Sequence, residues 1–331
     1  MRNKQILLAN RPKGAVQESD FRTVESDLPA PREGQVLVRV LYLSLDPYMR
    51  GRMDDARSYA SPQPIGEVMV GGTVGEVVES NDPGLRKGDL VVGMGGWQQF
   101  HLADAKTVRK IDTNVAPPSA YLGVLGMPGV TAWYGLTQIG KPKAGETVLV
   151  SAAAGAVGSV VGQLAKIAGC RAVGIAGGRV KCDYVVRELG FDACVDYKSP
   201  SFKDDFKNAT PERIDFDFEN VGGAVFDAAL ARMNFFGRVA LCGLVAGYSG
   251  EDIALHNVRS ILVNRLLVQG FIVSEHLEIW PQALKELAGH VAAKRIRYRE
   301  TVAEGLESAP RAFIGMLRGE NLGKQVVKVG T

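Results

Sequence analysis

Gly155 and Gly158, in the run Val148-Leu149-Val150-Ser151-Ala152-Ala153-Ala154-Gly155-Ala156-Val157-Gly158, have the spacing of a phosphate-holding turn. Glycines at these positions let a backbone approach a pyrophosphate, and a helix that starts here aims the N–H groups of Gly155, Ala156, Val157 and Gly158 at its oxygens. The usual first glycine is replaced by Ala153, which implies that this turn position does not need positive φ. A strand-turn-helix without a ligand is the alternative reading. About twenty residues beyond such glycines, an NAD-binding chain carries an Asp or Glu for the ribose hydroxyls. This chain instead has Ala176-Gly177-Gly178-Arg179-Val180-Lys181. Small residues followed by cations suit the 2′-phosphate of NADP, and Lys181 near a helix start is disfavoured unless an anion joins it. The alternative is a solvated surface lysine.

The elements needed to position these residues are present. Val148–Val150 reads as a buried strand, and the apolar stripe Val157, Val160, Val161, Leu164, Ile167 and Ala168 reads as a helix stopped by Gly169 in a left-handed conformation. A second strand follows at Arg171 to Ile175 and a second helix at Val180 to Leu189. Further strands are expected at Ala193 to Val195, Ile214 to Glu219, Arg238 to Cys242 and Leu266 to Ile272, with helices near Phe226 to Met233 and Trp280 to Ala292. The alternation predicts an α/β fold with a doubly wound parallel sheet. Before Tyr121 the pattern differs: Gln35 to Ser44, Glu67 to Ser80 and Leu90 to Val92 are β-rich runs broken by Gly and Pro, as in a small barrel or sandwich. The final run Gln325-Val326-Val327-Lys328-Val329 is a strand with no helix after it, and is expected to rejoin that first domain.

Composition narrows the classes. The 331 residues suggest two domains, and 46% hydrophobic with 23% charged residues is globular. A net charge of +3, dispersed along the chain, gives no basis for nucleic-acid or membrane binding, and no apolar run approaches a spanning helix. Cys170, Cys182, Cys194 and Cys242 form no C-x-x-C pair, and His101, His256, His276 and His290 are scattered, so no metal site has ligands at plausible spacing. These features predict a cytoplasmic protein with reduced cysteines and no metal.

Seven motifs then occur in order: Leu43-Ser44-Leu45-Asp46-Pro47-Tyr48-Met49-Arg50-Gly51-Arg52-Met53, Gly126-Met127-Pro128-Gly129-Val130-Thr131-Ala132, the alanine-rich glycine turn, Phe218-Glu219-Asn220-Val221-Gly222-Gly223, Cys242-Gly243, Gln269-Gly270-Phe271-Ile272-Val273, and Asn321-Leu322-Gly323-Lys324. Together they resemble the zinc-free medium-chain dehydrogenase/reductases of the prostaglandin reductase, 2-alkenal reductase and curcumin reductase group. The resemblance implies a GroES-like catalytic domain at 1–122, completed by 296–331, and a Rossmann NADP-binding domain at 123–295. It also implies NADPH-dependent reduction of the carbon–carbon double bond of an α,β-unsaturated ketone or aldehyde, and a homodimer. Where zinc-containing relatives hold metal, this chain has Ser44 and Leu45, and Pro64-Ile65-Gly66-Glu67 contains no histidine.

Such a reaction needs donors aimed at the carbonyl oxygen as charge collects there. The resemblance points to a tyrosine assisting the ribose hydroxyl, and Tyr248, after the fifth Rossmann strand, is the first candidate, with a plain loop aromatic as the alternative. The family's Asn after this tyrosine is Ser249 here. Tyr48 is the second candidate, placed by Asp46 as N-cap and Pro47 at the first helical position. It could equally be a core aromatic. Arg50 and Arg52 are expected as surface or rim charges. By the same resemblance, Met127, Pro128, Gly129 and Thr131 would line the nicotinamide ribose. Asn220, Gly222, Cys242, Gly243, Phe271, Ile272 and Val273 would meet the cofactor from strand ends. Tyr197 would lie near the 2′-phosphate, with Gly178 and Lys181, and Asn321 would bond the cofactor from the tail. Loops Met53 to Pro64 and Val245 to Asp252 would set pocket width. Quinone reduction is the alternative enzyme activity, and a non-catalytic, crystallin-type NADPH-binding protein is the alternative of another class.

Overall fold

The computed structural model describes residues Arg2–Gly330. They divide into two compact units: one comprises residues up to Gly123, Glu300–Asn321 and the residues from Gln325 onward, the other Val124–Arg299 and Leu322–Lys324. The chain opens with strands β1 (Arg2–Leu8), β2 (Phe21–Asp27), β3 (Gln35–Ser44), β4 (Thr73–Ser80), β5 (Leu90–Gly93), β6 (Phe100–Asp104) and β7 (Arg109–Lys110), with the short helix α1 (Tyr48–Arg52) between β3 and β4. It continues through α2 (Met127–Tyr134), β8 (Thr147–Val150), α3 (Gly158–Ile167), β9 (Arg171–Ala176), α4 (Arg179–Arg187), β10 (Ala193–Asp196), α5 (Phe202–Ala209), β11 (Ile214–Glu219), α6 (Gly223–Leu230), β12 (Met233–Leu241), α7 (Arg259–Val263), β13 (Leu267–Gly270) and α8 (Trp280–Ala292). β14 (Glu300–Glu304), α9 (Ala309–Leu317) and β15 (Lys324–Lys328) close it.

In the first unit the strand order is β14-β15-β3-β4-β5-β7, with β6 also on β3, and β1 and β2 form a separate antiparallel pair. β15 pairs antiparallel with β3, Val327 opposite Leu43, so the tail strand does return to this sheet. Whereas β3 is the run expected at Gln35 to Ser44, its partner β6 and the pair β1–β2 were not expected, and in β1 and β2 the polar runs Asn3, Lys4 and Gln5 and Arg22 and Thr23 do not alternate as a half-buried strand should. Trp97 anchors the core: it stacks on Phe21 at 5.2 Å and meets the edge of Phe313 at 5.7 Å. All three are buried.

The second unit is a six-stranded sheet, order β10-β9-β8-β11-β12-β13, every pair parallel. Chain order reverses between β8 and β11, which makes their carboxyl ends the topological switch point where open α/β sheets bind ligands. Leu149, Val173, Ile175, Val195 and Val239 pack one face against Val225, Phe226 and Ala229 of α6. On α3, Val160, Val161 and Leu164 of the expected stripe are buried and Val157 is half-buried, but Ile167 and Ala168 at the end of the helix are exposed, and Gly169 follows at φ 80°. Each buried Val, Leu, Ile or Phe side chain among these contributes roughly 1.5–3 kcal/mol.

Candidate cofactor and active site

Between β8 and α3 the chain turns through Ser151–Val157. Ala152 holds the left-handed conformation (φ 49°), at a cost of about 1–2 kcal/mol for a non-glycine residue. A left-handed residue is therefore required, one position before Ala153. Gly155 N–H donates to the Ala152 carbonyl at 2.9 Å, and a Cβ at Gly158 would stand 2.5 Å from that same oxygen. Only glycine lets helix and turn close so tightly there. No N-cap side chain bonds the start of α3, where a helix leaves its first N–H groups without intrahelical partners. Gly323 N–H donates to Ala154 O at 2.9 Å, which fixes the segment two residues after Asn321 against the turn.

The switch point is clasped by Ser151 and Asn220. Asn220 donates its backbone N–H to Ser151 Oγ at 2.7 Å and its side-chain amide to Ser151 O at 2.8 Å. Glu219, fully buried, accepts from the N–H groups of Val221 at 2.5 Å and Gly222 at 2.7 Å, and so shapes the turn into α6. Burial pushes its carboxyl up to about 7 despite those bonds. Asp217, on the same face of β11, is fully buried with neither oxygen bonded, and burial reinforced by Glu219 holds it well above the carboxylate range. The loop that carries Tyr248 hangs from this strand end: Cys242 and Gly243 donate to Glu219 O, and Val245 donates to Asn220 O. Tyr248 follows a single helical turn, Val245–Gly247, and is half-buried.

Around α4, Asp196 Oδ1 accepts from Gly178 N at 2.7 Å and Lys198 N at 2.9 Å, tying the end of β9 to the end of β10. Lys181 is partly desolvated and faces the Lys198 ammonium, and both effects push its pKa down. Tyr197 lies over Gly177, where a Cβ would stand 2.9 Å from the ring, and Lys198 Nζ sits 5.8 Å from the ring centre. Lys181, in the first turn of α4, and Lys198, just after β10, therefore bring two cations together where β9 and β10 end.

Met127 and Pro128 open α2, and Thr131 Oγ1 donates to Met127 O at 2.8 Å. Phe271 follows β13, meets the edge of Phe218 at 6.2 Å, and leads to half-buried Ile272 and buried Val273. In the first unit, Tyr48 is the first residue of α1, and burial raises its phenol well above 10. Asp46 does not cap that helix. Pro47 occupies the N-cap, and the Asp46 carboxylate accepts from Ser44 Oγ on the strand before it. Arg50 is likewise not a rim charge: it is buried, bonded to Asp54 at 2.6 Å and Gly14 O at 3.0 Å.

The family described as N-terminal domain of oxidoreductase matches residues 4–111, and the family described as zinc-binding dehydrogenase matches residues 156–289. The NADPH-dependent curcumin reductase of Escherichia coli is 47% identical, over 99% of this chain and 97% of its own length. This chain belongs to the medium-chain dehydrogenase/reductase family. Within that family, the NADP-dependent 2-alkenal reductase of Nicotiana tabacum is 42% identical over 99% of this chain and 97% of its own. The crystal structure of CurA from Vibrio vulnificus in complex with NADPH superimposes with a TM-score of 0.94 at 43% identity, covering 99% of each chain. Among the described residues of this family member, no group of three or more His, Cys, Asp or Glu side chains is placed to hold a metal. His101 is buried and held neutral, its pKa near 4 through desolvation. The described residues thus offer no ligand set that fits zinc.

Four residues at the site carried no sequence signal strong enough to single them out: Ser151, Glu219, Asp196 and Lys198. All follow or end a parallel strand, so strand-end position is the signal that could have found them.

Proposed function

We propose that this chain uses NADPH to reduce the carbon–carbon double bond of α,β-unsaturated ketones and aldehydes, leaving the carbonyl intact and requiring no metal. The observation that carries this reading is the full-length likeness to enzymes named curcumin reductase and 2-alkenal reductase. The paired lysines and the capless turn at the switch point agree with it. When bound, the dinucleotide supplies a hydride. Ala156, Val157 and Gly158 hold its pyrophosphate through backbone N–H groups, beside Gly155, whose own N–H is engaged by the Ala152 carbonyl and whose lack of a side chain lets the pyrophosphate approach, and Gly178, Lys181 and Tyr197 hold the 2′-phosphate. Asn220, Gly222, Cys242, Gly243, Phe271, Ile272 and Val273 line the rest from the strand ends, with Met127, Pro128 and Thr131 on α2 and Asn321 in the tail. Tyr248 donates its O–H toward the substrate's carbonyl oxygen, which gathers negative charge as the double bond is reduced. Tyr48, a phenol held neutral by burial, contacts substrate and helps to exclude water.

We further propose a cytoplasmic homodimer. No described helix is long and apolar enough to cross a membrane. β13 is an edge strand of the parallel sheet, and Leu262, Leu267 and Phe236 around it are exposed, which a second copy pairing along β13 would cover.

A substrate panel with NADPH and EDTA tests the reading. Enals and enones are expected to turn over to saturated carbonyl products. Quinones reduced far faster than every enone would favour a quinone reductase, and cofactor binding without turnover a non-catalytic protein.

A further inference from the structure

Cys182, on α4, and Cys194, on β10, stand with their sulfur atoms 2.8 Å apart, the Cys194 thiol donating to Cys182. Both are free thiols. α4 packs against β10 and β9, and Gly174 is the β9 residue paired with Cys194. An open cleft of about 440 Å³, lined by both cysteines with Arg179, Asp183, Asp196 and Ser199, admits a small molecule to the pair. The bond from Cys194 favours the Cys182 thiolate and lowers its pKa, whereas Cys194 itself is held as a thiol. Cys170 and Cys242 are also free, and burial pushes both thiols up.

We propose that Cys182 and Cys194 are a redox modification site, which a hydroperoxide converts to an intramolecular disulfide and which thereby weakens NADPH binding. The Cys182 thiolate attacks the hydroperoxide's terminal oxygen, the O–O bond breaks, and the alkoxide takes the displaced proton, giving an alcohol and a sulfenic acid. Cys194 sulfur then attacks Cys182 sulfur; the S–S bond forms, the S–O bond breaks, and hydroxide leaves with the Cys194 proton as water. Two thiols lose two electrons and the hydroperoxide gains them. Bond formation needs the sulfurs to close to about 2.05 Å, a movement of less than an ångström. That movement falls on the turn of α4 adjoining Lys181 and on the strand leading to Asp196, Tyr197 and Lys198, the segments read above as the 2′-phosphate receptor. The effect on cofactor rests on that reading; the disulfide does not.

The test treats the purified enzyme with cumene hydroperoxide, maps linked peptides by mass spectrometry, and measures NADPH and NADH affinity before treatment, after it, and after dithiothreitol. The expected result is a Cys182–Cys194 linked peptide, an intact mass lower by two hydrogen atoms, and NADPH affinity weaker by about threefold to tenfold with NADH unchanged, a fraction of one charge-assisted contact. Dithiothreitol restores all three. Cys194→Ser should instead accumulate a sulfenic acid at Cys182 that dimedone traps. Thiols that stay alkylatable, or are over-oxidised without a linked peptide, overturn the site. A linked peptide with unchanged NADPH affinity overturns the regulatory effect. Lys181→Ala separates the two readings, since a linked peptide there together with unaltered cofactor preference would indict the phosphate assignment and leave the thiol chemistry standing.

Discussion

Lys181 and Tyr248 carry the assignments most open to single substitutions. A charge-assisted contact to phosphate contributes about 1.5–3 kcal/mol, so wild-type enzyme should prefer NADPH over NADH by at least about tenfold in kcat/KM, and Lys181→Ala should erode that ratio toward parity. Equal use of both cofactors by the wild type would remove the argument from the end of β9. Tyr248→Phe should lower kcat by roughly tenfold to a hundredfold with little change in NADPH affinity, a loss smaller than that of a complete oxyanion donor. A rise in KM with kcat unchanged would make Tyr248 a binding residue instead. Lys181 was legible in the sequence because small residues and cations replaced the expected acid. Lys198, which repels it, was not: nothing in Asp196-Tyr197-Lys198 shows that the third strand ends beside the second.

At the scale of elements, β11 shows where sequence pattern misleads. Ile214-Asp215-Phe216-Asp217-Phe218-Glu219 alternates as a strand with one wet face would, and its position and length were readable. It lies between β8 and β12, however, with both faces covered, so Asp217 and Glu219 are buried. Their folded pKa values exceed the unfolded ones, and the folded state therefore binds more protons between the ordinary carboxylate range and the folded value. Stability should fall as pH rises from about 4.5 toward 7, the value for Glu219. Asp217→Val, which sets an apolar side chain beside Leu149 and Val239, should raise stability by roughly 1–3 kcal/mol, and raise the melting temperature more at about pH 8 than at about pH 5. Thermal unfolding across pH checks this; a destabilised variant at both pH values would show that Asp217 has a partner worth keeping. The helix at α1 illustrates the opposite error. Asp46-Pro47 has the composition of a cap, but the side chain's alternative partner, Ser44, lies on the strand just before it.

For the whole molecule, the reversal of chain order at β8 and β11 gathers the strand ends into one binding edge and leaves β13 exposed at the other. Size-exclusion chromatography with light scattering should therefore give twice the chain mass, and charged substitution at Leu262 and Leu267 together should shift it toward monomer. A monomeric wild type would contradict the pairing along β13. The parallel sheet was legible from strand-helix alternation, whereas the first unit's outer strands were not, because their polar, non-alternating sequences acquire partners only through long-range register. The most direct test of the central claim is product analysis after turnover of an enone with NADPH carrying deuterium at the transferable position. The expected product is a saturated ketone with deuterium on the carbon β to the carbonyl; an allylic alcohol with deuterium on the former carbonyl carbon would contradict double-bond reduction.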